Sequence, residues 1–246
     1  MIISNGTWRA SDVLVGVVSG ARGTLTQAGG TVSVYGSLTV GRCGPMATGI
    51  VTLNGGSLFI TNAAHNAALN IIGGTVTLSS GTLMVDRFVM TNSCGHFVHT
   101  GGTLVYTSAV LDSNRDDDGD GIPNGYEQSH GLDPLNAADA NADNDGDGFS
   151  NLQEYLAGTD PNSSTSSFQI TSMVVTGNSL RIGWTMGSGK TNALQRTPGD
   201  VSGNYNTNNF ADIFIVTNTV GTVTNFLDAG AATNFPVRYY RVRLVP

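Results

Sequence analysis

The chain has 246 residues, 39% of them apolar and 12% charged, with 33 glycines and a formal charge of −7. A charged share about half the usual one leaves too few Glu, Lys and Arg to wet the faces of long helices, which points to extended chain and turns. The acidic balance argues against a generally basic nucleic-acid binder, and no apolar run approaches the roughly 18–20 residues of a membrane span.

At the N-terminus Met1-Ile2-Ile3 leads straight into Asn5-Gly6, without the charged and apolar regions of a signal peptide. We therefore expect either a removed signal or a piece of a longer chain. Four segments then align on a double glycine: Gly29-Gly30, Gly55-Gly56, Gly73-Gly74 and Gly101-Gly102. An apolar residue precedes each pair (Leu25, Val51, Leu69, Phe97), and an alternating pair follows it (Val32/Val34, Leu58/Ile60, Val76/Leu78, Leu104/Tyr106). Period-two alternation after a glycine turn marks short half-buried strands, and repeats too small to bury their own face must stack. The expectation for residues 1–111 is a parallel β-solenoid, with an ordinary β-sandwich as the alternative. These repeats resemble the glycine-rich, autotransporter-type β-helix repeats of large bacterial surface proteins.

Catalysis is not expected here. Carbohydrate-cleaving β-helices need converging carboxylates, whereas the segment offers only Asp12 and Asp86, no lysine, and the scattered Arg9, Arg22, Arg42 and Arg87. Asp86 and Arg87, as strand neighbours, point to opposite faces, and so do His96 and His99, which argues against a metal pair. Cys43 and Cys94 fall about two coils apart, near 10 Å at strand spacing. That exceeds the roughly 7 Å a disulfide spans, so the spacing opposes a bond unless a loop closes the gap. The first coil lacks a polar cap, which suggests truncation or end-to-end stacking.

The charge is concentrated in one place. Between Asp112 and Asp160 stand 13 acidic residues against Arg115 alone, a charge of −12; elsewhere 5 acids face 10 bases, a charge of +5. Two units repeat there at an offset of 27. The first carries Asp112, Asn114, Asp116, Asp118, Asp120, Gly121, Asn124, Glu127 and Asp133, and the second Asp139, Asn141, Asp143, Asp145, Asp147, Gly148, Asn151, Glu154 and Asp160. Calcium takes six to eight oxygens, and a tight loop with acids at alternate positions turns them inward around a glycine. Asp116, Asp118 and Asp120, the Ile122 carbonyl, Asn124 and a closing Glu127 form one candidate ligand set. Asp143, Asp145, Asp147, the Phe149 carbonyl, Asn151 and Glu154 form the other. Short helices over Asn124–His130 and Asn151–Ala157, capped by Gly131 and Gly158, are expected to follow the loops. The Asp112/Asn114 and Asp139/Asn141 alternation resembles cysteine-free bacterial thrombospondin type 3 repeats. That resemblance implies Asp112, Asn114, Asp133, Asp139, Asn141 and Asp160 as further ligands, two or more Ca2+, and a segment held by metal alone. Millimolar calcium is found outside cells, which points to an extracellular location.

Residues 162–167 read as a linker. The stretches starting at Phe168, Leu180, Ile213, Thr222 and Val237 read as strands of a β-sandwich over 168–246. With Trp184, the closing Tyr239-Tyr240-Arg241-Val242-Arg243 resembles fibronectin type III-like modules. Trp184 is expected in the core rather than as a sugar platform. Gly187-Ser188-Gly189-Lys190-Thr191 lacks the first glycine and the strand–helix setting of a phosphate loop.

The whole reads as a mainly β, non-catalytic, calcium-binding extracellular protein: β-solenoid 1–111, calcium-binding connector 112–161 with short helices, linker 162–167 and β-sandwich 168–246. The expected role is structural or adhesive at a bacterial surface, with self-association into fibres and a glycan or other cell-surface ligand as candidate partners. No nucleic acid and no membrane span is expected. A carbohydrate-binding or carbohydrate-degrading β-helix protein is the alternative.

Overall fold

The computed structural model describes residues 1–44, 48–200, 202–217, 223–232 and 237–245; Asn218, Thr222 and Pro246, at the ends of predicted stretches, lie outside them. The chain divides into two compact units, Met1–Ala137 and Ala138–Pro246, so the division falls between the two acidic repeats.

Among the described residues the first unit opens with eleven strands: β1 (Ile2–Ile3), β2 (Thr7–Ala10), β3 (Val13–Val15), β4 (Arg22–Gln27), β5 (Thr31–Val34), β6 (Ser37–Gly41), β7 (Thr48–Ile60), β8 (Ala68–Gly73), β9 (Thr75–Met90), β10 (His96–His99) and β11 (Thr103–Leu111). Every pairing among them is parallel, which makes the expected β-solenoid. Each coil has three faces: β7 and β11 each bend around one corner and serve two of them, and β9 bends around two corners and serves all three. Alternation puts one side-chain set inside, and register then stacks like on like. One ladder runs Leu25, Val51, Val76, Phe97; a second Trp8, Val32, Leu58, Leu83, Leu104; a third Val13, Leu38, Leu69, Phe88, Ala109. The middle rungs are fully buried in one apolar cluster. Arg87 is exposed and Asp86 buried, so they do face opposite ways; Asp86 accepts the amides of Asn62 and Ala67 at 2.9 and 3.3 Å. Both His96 and His99 are exposed.

The double-glycine register needs one correction. Gly30 packs on Gly6, Gly56 on Gly30, Gly81 on Gly56 and Gly102 on Gly81, all at positive φ, at a single corner. Ser80-Gly81, rather than Gly73-Gly74, is therefore the third member of that stack. The irregular spacings of 26, 18 and 28 become 26, 25 and 21. Gly73 and Gly74 turn a different corner, where a Cβ on Gly73 would lie 2.2 Å from the Arg42 carbonyl carbon. Both corners need glycine for the same reason, close approach of stacked backbones, and the sequence alone does not tell them apart.

The second correction follows from that corner. Cys43 and Cys94 are bonded, with Cα atoms 5.6 Å apart, although their strands are two coils apart. The intervening coil turns on bare glycine between Gly73 and Thr75, so the loops on either side fold over it. The Cys43 sulfur sits 3.2 Å from the Ile72 carbonyl of that coil. Strand spacing does not limit loops that close across a short turn.

The second unit carries antiparallel strands β12 (Ile170–Thr176), β13 (Ser179–Thr185), β14 (Thr191–Pro198), β15 (Ala211–Thr217), β16 (Val223–Asp228) and β17 (Arg238–Val245). Among the described residues they form two three-stranded sheets, β12-β13-β16 and β15-β14-β17. Ile182 and Trp184 from one sheet and Leu194 from the other belong to one buried cluster, joined by Phe226, Phe214 and Val242. Trp184 is wholly buried, as expected, and its indole N–H donates to Asn192 Oδ1 at 2.9 Å. Asp228 on β16 ties the sheets together: it accepts from Arg196 at 2.8 Å, Tyr240 at 2.7 Å and Arg238 at 3.2 Å, all on the opposing sheet. Among the described residues, no helix is long and apolar enough to cross a membrane.

Candidate metal centres

The two acidic repeats fold alike because their sequences repeat. Asp116 Oδ1 accepts the amides of Gly119 and Asp120 at 2.7 and 3.2 Å, and its Oδ2 accepts Gly121 at 3.0 Å. Asp143 does the same with Gly146, Asp147 and Gly148 at 2.7, 3.2 and 2.9 Å. These bonds need a tight loop, and Gly119, Gly121, Gly146 and Gly148 supply it with φ of 80°, 97°, 79° and 98°. The Gly148 amide foremost, then those of Gly146 and Asp147 acting against burial, hold the Asp143 carboxyl below the usual carboxylate range.

Each loop runs into a helix at the expected place: α1 (Asn124–His130) and α2 (Asn151–Ala157), ended by Gly131 and Gly158 at φ of 74° and 73°. Ser150 and Gln153 make a capping box on α2, whereas Pro123 starts α1 with no side-chain cap. The helices bring the closing glutamates inward. Both Glu127 and Glu154 are buried, and a Glu127 oxygen lies within 4.8 Å of an Asp120 oxygen.

Asp116, Asp118 and Asp120 form one group of mutually adjacent carboxylates, with oxygens within 4.8 Å of one another, and Asp143, Asp145 and Asp147 form another. In the second loop Asp145 Oδ2, Asp147 Oδ2, Asn151 Oδ1 and Glu154 Oε2 are buried and accept no hydrogen bond. Burial, then the charges of Asp145 and Asp147, push the Glu154 carboxyl up to about 7. Buried oxygens with no proton donor are costly unless a cation satisfies them, and an all-oxygen donor set suits a hard ion. The residues present therefore fit calcium.

The other candidate ligands lie differently. Asn124 is spent as a strut: its Nδ2 donates to the Asp112 carbonyl at 2.9 Å and Asp117 Oδ2 at 2.8 Å, and its Oδ1 accepts the Asp117 amide at 3.1 Å. Asn151 keeps the corresponding bond to the Asp139 carbonyl at 2.7 Å, but its Oδ1 stays open. Ile122 and Phe149 follow the loop glycines, and their amides donate to Asp120 and Asp147 at 2.7 and 2.9 Å. Asp112 and Asp160 each hold a turn of their own, through the amides of Asn114 and Asn162, both at 3.1 Å. Asp133 accepts the Leu135 amide at 3.1 Å and the Tyr106 hydroxyl. Asp139 begins a 3-10 turn that ends at Asn141, and the side chains of Asn114 and Asn141 are exposed.

Sequence reasoning missed how the first loop is anchored. Arg115 donates to the carbonyls of Asn92 and Gly95 at 2.7 and 3.2 Å, on either side of Cys94, and pairs with Asp117 at 2.7 Å. Leu135 is buried in the solenoid's own apolar cluster. The first repeat is thus the end-piece of the coil stack, and the expectation that metal alone holds the segment gives way there. The signal lay in the positions where the repeats differ: Arg115, Asp117 and Leu135 stand where the second has Ala142, Asn144 and Asn162. The second loop is anchored within its own unit. Gly187 packs so tightly on α2 that a Cβ there would meet the Ala157 carbonyl at 2.1 Å, and Lys190 Nζ lies 5.2 Å from the centre of the Tyr155 ring. The stretch Gly187 to Thr191 is therefore a docking turn for that helix.

A family model described as the bacterial TSP3 repeat matches residues 116–137 and 143–164, the two loops with their helices. Such repeats are of calcium-binding type, and their match here covers the acidic segment alone. No curated protein and no solved structure matches the chain.

Proposed function

We propose that this chain is a non-catalytic, calcium-binding structural protein of a bacterial surface, exported and working outside the cell. The observation that carries the reading is the second loop, where buried oxygens of Asp145, Asp147, Asn151 and Glu154 accept no hydrogen bond, beside a first loop that groups its carboxylates in the same way. Asp116, Asp118, Asp120 and Glu127 would hold one Ca2+, and Asp143, Asp145, Asp147, Asn151 and Glu154 another, with Ile122 and Phe149 contributing carbonyls. The bound ion would neutralise the clustered charge and make each loop rigid. Asn124, Asp112, Asn114, Asp133, Asp139, Asn141 and Asp160 would act as struts or outer ligands.

The Cys43–Cys94 bond supports an oxidising, extracellular setting, and the TSP3 repeats agree with it. The parallel β-solenoid supports the likeness to autotransporter-type repeats. The two sheets sharing one core support a β-sandwich of fibronectin type III-like kind. An adhesive role, with assembly into fibres, completes the reading.

The test uses the chain's only two glutamates, Glu127 and Glu154, the closing residues of the loops. An endoproteinase that cuts after glutamate should spare the calcium-loaded protein and cut it when EGTA is added. Equal resistance in both conditions would overturn the calcium reading.

A further inference from the structure

A cleft of about 460 Å³ opens beside the end of β14, lined by Pro198, Gly199, Asp200, Asn204, Tyr205, Asn206 and Asn209. We infer that this cleft is a binding site for a neutral saccharide, with Tyr205 as the stacking platform. The inference is independent of the calcium loops and gives the adhesive reading a ligand class and a place.

Three observations carry it. Tyr205 is 49% exposed, which by itself is ordinary, but the ring is clamped. Its centroid lies 4.3 Å from that of Tyr239 and 5.8 Å from that of Phe210, which it meets edge-on. Tyr239 is fixed in turn by a hydroxyl bond to the Gly203 carbonyl, and the Arg241 guanidinium covers the Phe210 ring at 4.2 Å. A ring held in place and left half bare offers an apolar face without the entropy cost of ordering it on binding.

The polar wall is also set before any ligand arrives. Asp200 Oδ1 accepts the amides of Ser202 and Asn204, both at 2.8 Å, and the Asp200 amide donates to the Asn204 carbonyl at 2.8 Å, closing a small ring of backbone. Asn206 Oδ1 accepts the Asn208 amide at 2.9 Å. Carboxamides offer a donor and an acceptor from one planar group, and a carboxylate offers acceptors only; together they match neighbouring hydroxyls on a ring.

The chemistry also excludes other ligands. Among the described residues Asp200 is the sole charged side chain lining the cleft, so an anion would be repelled, and one carboxylate is a poor cage for a bare divalent cation. A sugar ring presents an apolar C–H face to one side and hydroxyls around its edge, as the tyrosine face and the amide wall require.

The experiment uses the full chain with saturating calcium and a panel of soluble tetrasaccharides of glucose, xylose, mannose and N-acetylglucosamine, read by saturation-transfer NMR and calorimetry. At least one should bind with a Kd of about 1 mM or tighter. Measured well below the melting temperature of each variant, Tyr205→Ala should weaken that binding by about tenfold, and Tyr205→Trp should keep it within about threefold. No binding by any member at 10-millimolar order, or binding that survives Tyr205→Ala, would overturn the inference. Because calcium is present throughout, neither result bears on the loops, and a failure of the protease test leaves this cleft standing.

Discussion

Replacing Arg115 by alanine tests whether the first calcium loop is welded to the solenoid. The guanidinium makes two bonds to carbonyls beside Cys94, at 2.7 and 3.2 Å, and one ion pair at 2.7 Å to Asp117, whose side chain has no exposed surface. A hydrogen bond to a charged group contributes about 1.5–3 kcal/mol, and stripping the partner from a buried charge costs about 3–5 kcal/mol. Arg115→Ala should therefore lower the local stability of the junction by about 3–5 kcal/mol, a hundredfold or more in opening. The double variant Arg115→Ala/Asp117→Asn copies the Ala142 and Asn144 of the second repeat and buries no unpaired charge. It should recover all but about 1–2 kcal/mol. The assay is native-state hydrogen exchange in excess calcium, read at the Asn124 amide, which donates to the Arg115 carbonyl at 2.7 Å. If the single variant changes protection by less than about threefold, or the double variant fares no better, the buried ion pair is not what holds the loop.

Three other outcomes follow from the same structure. Cys43→Ser opens a bridge with a sequence separation of 51, and loop-closure entropy then sets a loss of up to about 4 kcal/mol, measurable as a lower midpoint of denaturation for the solenoid. Gly56→Ala puts a Cβ 2.4 Å from the Gly30 carbonyl at a φ of 72°, and should cost about 2 kcal/mol or more; an unchanged melting curve would contradict the stacked corner. Burial raises the Asp228 carboxyl, but the bonds from Arg196 and Tyr240 and the charges of Arg196 and Arg238 outweigh it and leave its pKa below the ordinary value. A depressed carboxylate gives stability that is present above the unfolded pKa and is lost as pH falls through the folded one. Asp228→Asn should cost the second unit about 2–3 kcal/mol at neutral pH and flatten the acid limb of its stability curve, which denaturation between pH 7 and 3 would show.

Much of the site was legible because its chemistry is local. Oxygens at alternate positions, a glycine and a closing glutamate are fixed by spacing within a dozen residues, so Asp116 to Glu127 and Asp143 to Glu154 declare themselves. The same is true of Gly131 and Gly158, whose left-handed caps end helices where the chain says they should. Asn124 was less legible: its role depends on whether the neighbouring residue is Asp117 or Asn144, and only packing shows that the carboxamide is already spent.

The solenoid divides the same way. Alternation and recurring glycine pointed to strands with a shared core over the first hundred residues, because each coil is too small to bury its own face, and the structure decided for parallel pairing over the sandwich alternative. Which glycine turns which corner depended on register, and only the stacked structure put Gly81 rather than Gly74 over Gly56. The disulfide was decided at that level too, since a bare glycine turn let two loops meet across the coil between them. The concentration of charge between Asp112 and Asp160 likewise belongs to the sequence. Its division into one loop that closes the solenoid and another that docks on the C-terminal sheets belongs to the tertiary structure. The solenoid carbonyls that Arg115 reaches, and the ring that Lys190 covers, lie 20 or more residues away, and contacts at that range leave no local pattern to read.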